Sequence, residues 1–400
     1  MSSIPERIVA FNKGRLPEML KLKYESMAES VFRFYRGTCH LFYEDLAKVG
    51  NFPGSPVTWI CGDLHPENFG SFKGDNRLVY FDLNDFDEAI LAPCLWEISR
   101  MVTSIFIGFN DLGMDRKDAS IVAGKFITCY ADTLASGKAI SIDPRTASGI
   151  VATFLNKVEE RKQKELLCKR TLMKKGKLML SSEYEKHRLL EKSLKKELEQ
   201  HINTWIKTSS LDKNGFTATD CVFRLAGTGS IGVKRYLFLL KRGDRKNKYL
   251  LLDMKQAMPS SLLPYVTPKQ PHWKSEADRV IQIKQRMQNT PPALLGTTFF
   301  KGESFVIQEM QPTEDSINFE LLKDRYKDID RVIEDMAVLS GASQLRSSGR
   351  QGSSIADELI SFGQNSSWYK GLLLYAEKYS MQVRNDYQQY LLAYKGGKLA

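Results

Sequence analysis

Two stretches constrain this chain more than anything else in it: CGDLHPENFG at 61–70 and RLVYFDLNDFDE at 77–88. The first follows the apolar run PVTWI, and the second begins with one. Between them FGSF and RLVYFD flank KGDN, a turn sequence, so the pattern predicts a hairpin. A tight turn there returns Asp82 opposite Asn68, with Asp85 and Asp87 about one turn further along. Carboxylates gathered at a loop and a strand end suit a metal–phosphate site, because Mg²⁺ is held by one or two carboxylates together with substrate phosphates. The ordinary alternative for Asp63 is a turn or cap residue.

The chain has 400 residues, 42% of them hydrophobic, enough for one large two-lobed domain or two ordinary ones. Its net charge of +11 favours anionic partners. The six cysteines are scattered with no CxxC pair and read as reduced thiols. The N-terminus MSSIPERIVAFNKGR lacks a signal-peptide core, and the longest apolar run, MVTSIFIGF, is too short to span a bilayer. The expectation is a cytoplasmic protein without a membrane span.

Apolar spacing predicts helix over 16–49, two helices over 93–136 split at GFNDLGMD, and a mostly helical 147–207. Ser182 and Glu185 form a capping-box pattern before EYEKHRLLEKSLKKELEQHINTW. The Lys- and Arg-rich run there reads as a solvated helical face rather than a nucleic-acid surface. From 211 the pattern changes to a glycine-rich turn, a strand, the hairpin turn KRGDRKNK and another strand. A helix over 275–289, a strand over 304–311 and helices over 316–400 complete the α+β pattern.

GTGSIG at 227–232 fits G-x-G-x-x-G, a weak signal alone. A dinucleotide-binding turn opens a helix, but VKRYLFLL after it reads as a strand. A P-loop needs Gly-Lys-Ser/Thr, which is missing. A kinase-type loop lies between antiparallel strands and expects a lysine on the next strand, which YLLLDMKQA supplies as Lys255. The alternative is a plain hairpin with a surface lysine.

Phosphoryl transfer of the kinase type also needs an aspartate at the acceptor hydroxyl and an asparagine and aspartate for Mg²⁺. GDLHPEN offers Asp63 and, five residues on, Asn68. His65 has no zinc-type neighbours and reads as a brace for the loop.

FYRGTCHLFYEDLA, CGDLHPENFG, FDLNDFDEAILAPCLWEISRM, GTGSIGVKRYLFLL and RVIQIKQRMQ together resemble the bacterial domain-of-unknown-function family 2252, over about residues 15–395. That family is grouped with protein-kinase-like and aminoglycoside-phosphotransferase-like folds. The resemblance implies two lobes in circularly permuted order, since the catalytic loop precedes the glycine loop. Residues 1–210 and 312–400 would form the helical lobe and 211–311 a small antiparallel β lobe.

On this reading Asp63 is the base, Lys255 holds the α/β-phosphates of ATP, and Gly227, Thr228, Gly229, Ser230 and Gly232 form the lid. Asn68 and Asp82 bind Mg²⁺, with Asp85 as the alternative metal ligand. The backbone from Glu309 to Gln311 meets the adenine edge, and Arg36 is a lesser candidate for phosphate or substrate contact. Partners for Lys255 are sought on the helix over 275–289, which carries Glu276, Gln282 and Gln285. The expected activity is ATP- and Mg²⁺-dependent transfer to a hydroxyl on a protein, a small molecule or an antibiotic. AMP transfer by the same parts and a silent nucleotide-binding scaffold remain the alternatives.

Overall fold

The computed structural model describes residues 2–243, 248–312 and 314–399. Part of the expected KRGDRKNK turn, residues 244–247, lies outside them. The chain is α+β, and its strands in chain order are β1 (Val57–Ile60), β2 (Phe69–Lys73), β3 (Val79–Leu83), β4 (Ile90–Pro93), β5 (Thr171–Lys174), β6 (Lys177–Leu180), β7 (His187–Arg188), β8 (Phe216–Arg224), β9 (Arg235–Arg242), β10 (Tyr249–Gln256), β11 (Gly296–Phe300) and β12 (Glu303–Met310). No helix among the described residues is long and apolar enough to cross a membrane.

The largest sheet is antiparallel, in the order β11-β12-β10-β9-β8-β7. Alternation along its strands gives it two unlike faces. Phe238, Leu240, Leu252, Met254, Phe305 and Ile307 point one way, onto Leu198, Ile202 and Ile206 of the helix Lys192–Lys207. That helix precedes residue 211, where the sequence suggested the sheet region begins. On the other face, register places Arg235 beside Lys255, and Leu237 beside both Val222 and Asp253. This face carries the charged residues and borders a cavity.

The remainder is largely helical. Leu95–Asp111, Arg116–Ser136 and Tyr326–Ser347 share one buried core with the β1, β2 and β3 strands. The N-terminal helices pack on Tyr369–Lys395 in a second core. The split of 93–136 into two helices is as expected, with Asp115 capping the second through Asp118 N.

Several local expectations fail for identifiable reasons. The region 16–49 is three helices, Pro17–Ala28, Val31–Gly37 and Cys39–Leu46, and Ser30 caps the second through Arg33 N. The Ser182–Glu185 pattern starts no helix; the helix begins at Lys192 after Glu191. Upstream, TLMK and KLML pair as a hairpin whose turn residues Lys175 and Gly176 both have positive φ, the turn type that matches strand twist. The edge of that hairpin is anchored where Leu180 N donates to Asp220 Oδ2 at 2.7 Å.

The expected β2–β3 hairpin forms, with its register two residues from the one read off the sequence. Phe69 faces Leu83 and Gly70 faces Asp82. The connecting loop runs from Gly74 to Leu78, closed by Gly74 N to Leu78 O at 3.2 Å and Arg77 N to Gly74 O at 2.9 Å, so it is longer than the KGDN turn. Asn68 is therefore opposite Asn84, whose N–H donates to the Asn68 carbonyl at 2.8 Å.

Candidate active site

The site begins with the loop 61–68. Gly62 has φ +84°, and a Cβ there would collide with the Glu88 carbonyl, so only glycine fits before Asp63. Glu97 and Arg100, two charged residues in the largely apolar helix Leu95–Asp111, hold this loop. Glu97 Oε2 accepts from Cys61 N at 2.8 Å, while Gln344 donates to Oε1 at 2.7 Å. Burial pushes the Glu97 carboxyl up to about 7. Arg100 is completely buried, and its Nε donates to Asp63 Oδ1 at 2.7 Å. Its guanidinium also lies over the Tyr35 ring, 4.2 Å from the centroid. Asp63 is thereby fixed in direction while its side chain stays 24% exposed.

Asn68 ties this loop to the next one. Its Nδ2 donates to the carbonyls of Asp63 at 2.9 Å and Asp85 at 3.2 Å, and its Oδ1 accepts from Asp85 N at 2.6 Å. Asp85, rather than Asp82, is thus the carboxylate residue joined to Asn68. Asp82 is buried away from the cavity, and its Oδ1 accepts from Leu83 N at 2.8 Å. Burial raises its carboxyl to about 6 despite the nearby Arg346. The two-residue difference in hairpin register accounts for this correction.

Lys255 comes from the charged face of the sheet. Its Nζ lies 3.5 Å from Asp85 Oδ2 and forms a closer ion pair with Asp87. Burial alone would raise Asp85, but the Lys255 ammonium and the Asp87 N–H outweigh it and hold Asp85 low. Burial and the charge of Asp85 raise Asp87. The helix Glu276–Met287 supplies no carboxylate to Lys255. Glu276 pairs with Arg279 at 2.6 Å, Gln282 bonds Asp278 and Arg286, and Gln285 borders a different hollow. Facing the cavity from that helix are Val280 and Lys284. Lys284 Nζ is 3.3 Å from Asn84 O, and burial lowers its ammonium to about 8.

Two cavities meet at Asp85, Asp87, Glu67 and Gly227. The larger, about 730 Å³, lies under the charged sheet face. Asp253 there is gripped by Arg235 (2.7 and 3.0 Å) and Arg224 (2.7 Å). Glu314 closes one side, its carboxyl raised by burial to about 7. Gln311 lines this cavity and exchanges hydrogen bonds with the Lys73 backbone at 2.5 and 2.8 Å. Glu309 does not line it; its carboxylate pairs with Arg77 at 2.6 Å. The expected solvated face contributes a wall instead, through Arg161, Lys162, Lys169, Arg170 and Lys186.

The smaller cavity, about 190 Å³, contains Asp63, His65, Asn68 and Glu88 on one side and Gly227, Gly229, Ser230 and Gly232 on the other. The glycine loop is tied to the N-terminal helices. Arg15 donates to the carbonyls of Gly229 (2.8 Å) and Ile231 (2.7 Å), and buried Lys23 to Gly229 (3.0 Å). Thr228 turns outward to Ser26, 3.3 Å between hydroxyls. Arg36 lines this cavity and is engaged by Glu67.

Residues 15–393 match the model of a family described as an uncharacterized protein conserved in bacteria, DUF2252. The chain belongs to that family. No curated protein and no solved structure matches it. Of the residues singled out in this DUF2252 sequence, the fold brings Asp63, Asn68, Asp85, Lys255 and the glycine loop together, and beside them it places Arg100, Lys284, Arg224 and Arg235, which the motifs did not include. Arg100 and Glu97 carried a usable signal as the charged pair inside an apolar helix. Arg224, Arg235 and Asp253 were detectable only as charges alternating with apolar residues in strands.

Proposed function

We propose that this protein is an ATP- and Mg²⁺-dependent phosphotransferase with a kinase-like, two-lobed and circularly permuted arrangement. One observation carries the reading: a roomy basic cavity and a small acidic one meet at three carboxylates, Glu67, Asp85 and Asp87, with Lys255 on one side and Asp63 on the other. A nucleotide occupies the larger cavity with its phosphates toward Lys255. The acceptor hydroxyl approaches from the smaller one.

The donor set fits a magnesium ion. Among the described residues no cluster of three or more His, Cys, Asp or Glu side chains has metal-holding geometry. Mg²⁺ needs only one or two carboxylates when phosphates and water complete its shell. Asp85 and Asp87 would hold it, Asp85 replacing Asp82 of the sequence reading, with Asn68 bracing Asp85. The ion supplies neutralisation of phosphate charge. Asp63, oriented by Arg100, accepts the proton of the acceptor hydroxyl as that oxygen bonds the γ-phosphorus. The bond from γ-phosphorus to the β–γ bridging oxygen breaks, and ADP leaves with the electron pair. Lys255 binds the phosphates after exchanging its carboxylate partners for them. Of the glycine loop only Gly227 borders the larger cavity and so meets the phosphates; Gly229, Ser230 and Gly232 cover the acceptor side instead of forming a lid over ATP, held there by Arg15 and Lys23.

Calorimetry of ATP binding with Mg²⁺ and with EDTA tests the reading. Binding that strengthens with Mg²⁺ is expected, because Asp85 and Asp87 otherwise repel the phosphates. Absent or metal-independent binding overturns it.

A further inference from the structure

The small cavity restricts what can be phosphorylated. Its volume of about 190 Å³ lies below the range of roughly 300–1,000 Å³ that holds drug-sized ligands. Phe11, Gly14 and Arg15 close it from the N-terminal segment, and the glycine loop closes it from above. These two covers are joined by the Arg15 and Lys23 hydrogen bonds and by Leu16 N to Gly232 O at 2.9 Å. A folded protein loop or a multi-ring antibiotic does not fit beneath them.

Charge pairing inside the cavity narrows the chemistry further. Asp63 is paired with Arg100, Glu67 with Arg36, and Asp85 and Asp87 with Lys255. Arg15 is engaged by glycine-loop carbonyls. Glu88 differs from the other carboxylates in having no cation within ion-pair distance among the described residues. Its Oε2 accepts from Ser261 N at 2.6 Å and Ser260 Oγ at 3.2 Å, and no hydrogen bond reaches its Oε1. A second polar group there is also incompletely used. His65 is only 5% exposed, lines the same cavity, and its Nδ1 has no partner among the described residues. Phe11, Met258 and Pro259 supply apolar wall for a short carbon skeleton.

We infer that the phosphoryl acceptor is a small amino alcohol, with its hydroxyl at Asp63 and its protonated nitrogen at Glu88. This rests on the phosphotransferase reading for the transfer itself, while the cation site stands on the cavity alone. Arg15, Lys23 and Arg279 act on Glu88 from beyond contact, and the nitrogen supplies the direct ionic contact that none of them makes. A carboxylate buried beside other carboxylates gains most from a ligand cation that replaces lost solvation. The transfer forms a phosphate monoester on the amino alcohol, with the hydroxyl proton passing to Asp63 and ADP released.

Two measurements test this separately. Ligand-observed NMR or calorimetry on the nucleotide-free protein compares ethanolamine and propanolamine with the neutral ethylene glycol and glycerol. The amino alcohols should bind and the diols should not. Glu88→Gln, which keeps an acceptor for Ser261 N, should weaken amino-alcohol binding about tenfold or more, the scale of a lost charge-assisted hydrogen bond. ATP affinity of that variant should stay within about twofold, since Glu88 faces the other cavity. Phosphate transfer from ATP is then assayed to the amino alcohols, the diols and a serine-containing peptide. Equal binding of diols and amino alcohols, insensitivity to Glu88→Gln, or preferential transfer to the peptide would overturn the inference. Amino-alcohol binding lost in Glu88→Gln, in a protein that binds no ATP, supports the cation site and removes the phosphotransferase reading alone.

Discussion

The two cavities share Glu67, Asp85, Asp87 and Gly227 and differ in almost everything else. The larger is bordered by Lys255, Lys284, Arg224 and Arg235 and opens past a basic wall; the smaller holds Asp63, Glu67 and Glu88 under a roof pinned by Arg15 and Lys23. The difference sets a cavity with an excess of cations beside one with an excess of carboxylates. Both cavities mix signs: Asp253 sits between Arg224 and Arg235 on the larger side, and Arg100 and Arg36 pair with Asp63 and Glu67 on the smaller. Each set of charges compensates the burial cost of its neighbours, because an unpaired buried charge is costly.

The contrast is broken most sharply at Asp63. Asp63→Asn should lower turnover on the order of 10²-fold or more while ATP affinity changes little, since the residue faces only the smaller cavity. The asparagine Oδ1 still accepts from Arg100, so the thermal midpoint checks that the fold is intact. Wild-type turnover would end the assignment of that cavity to the acceptor.

Lys255→Met acts on the other side and removes the one cation in direct contact with Asp85 and Asp87 among the described residues, leaving Lys284 and Arg235 further off. ATP affinity should fall about tenfold or more, as for loss of a buried charge-assisted contact. Unchanged affinity and turnover together would reduce Lys255 to a structural ion-pair partner. Smaller again is the effect at the shared edge. Asp85→Asn should raise the Mg²⁺ concentration needed for ATP binding on the order of tenfold, and Asp82→Asn should leave it unchanged. Titrating Mg²⁺ at fixed ATP separates the two, and the reverse result would return the metal to Asp82.

Asp82 has instead a stability signature. Its carboxyl is raised by burial to about 6, so between about pH 4 and 6 the folded protein holds a proton that the unfolded chain has lost. That contribution is present in acid and disappears as pH rises through 6. Asp82→Asn should therefore flatten this part of the stability profile and, at pH 7, stabilise by up to about 3 kcal/mol. Denaturant melts at several pH values read it directly. Least of all, Arg170→Ala with Lys186→Ala should weaken ATP binding by a few fold at low salt and less at high salt, as expected for exposed charges screened by ions.

Much of the site was legible because its signals are local. The five-residue spacing from Asp63 to Asn68, the hairpin, and a lysine on the strand after the glycine loop all lie within short windows. The failures have a common cause. A hairpin register depends on how many residues its loop takes, and Gly74–Leu78 takes more than KGDN suggests, so Asp82 and Asp85 exchanged places. The stretch 147–207 read as mostly helical because its charges are dense, yet a two-residue turn at Lys175–Gly176 folds part of it into a hairpin beside the sheet. The partner of Lys255 was sought on a neighbouring helix, and it came from the loop after β3.

The α+β character, the family and the β2–β3 hairpin can all be read from the sequence, because they follow from periodicity and short-range spacing. Tertiary structure alone decided that Arg100 holds Asp63, that Asp85 and Asp87 meet Lys255 some 170 residues away in sequence, and that the N-terminal helices roof the smaller cavity. Those contacts join segments whose separation carries no periodic signal. Their energies depend on burial and on which charges finally share one low-dielectric space, and neither exists until the chain has folded.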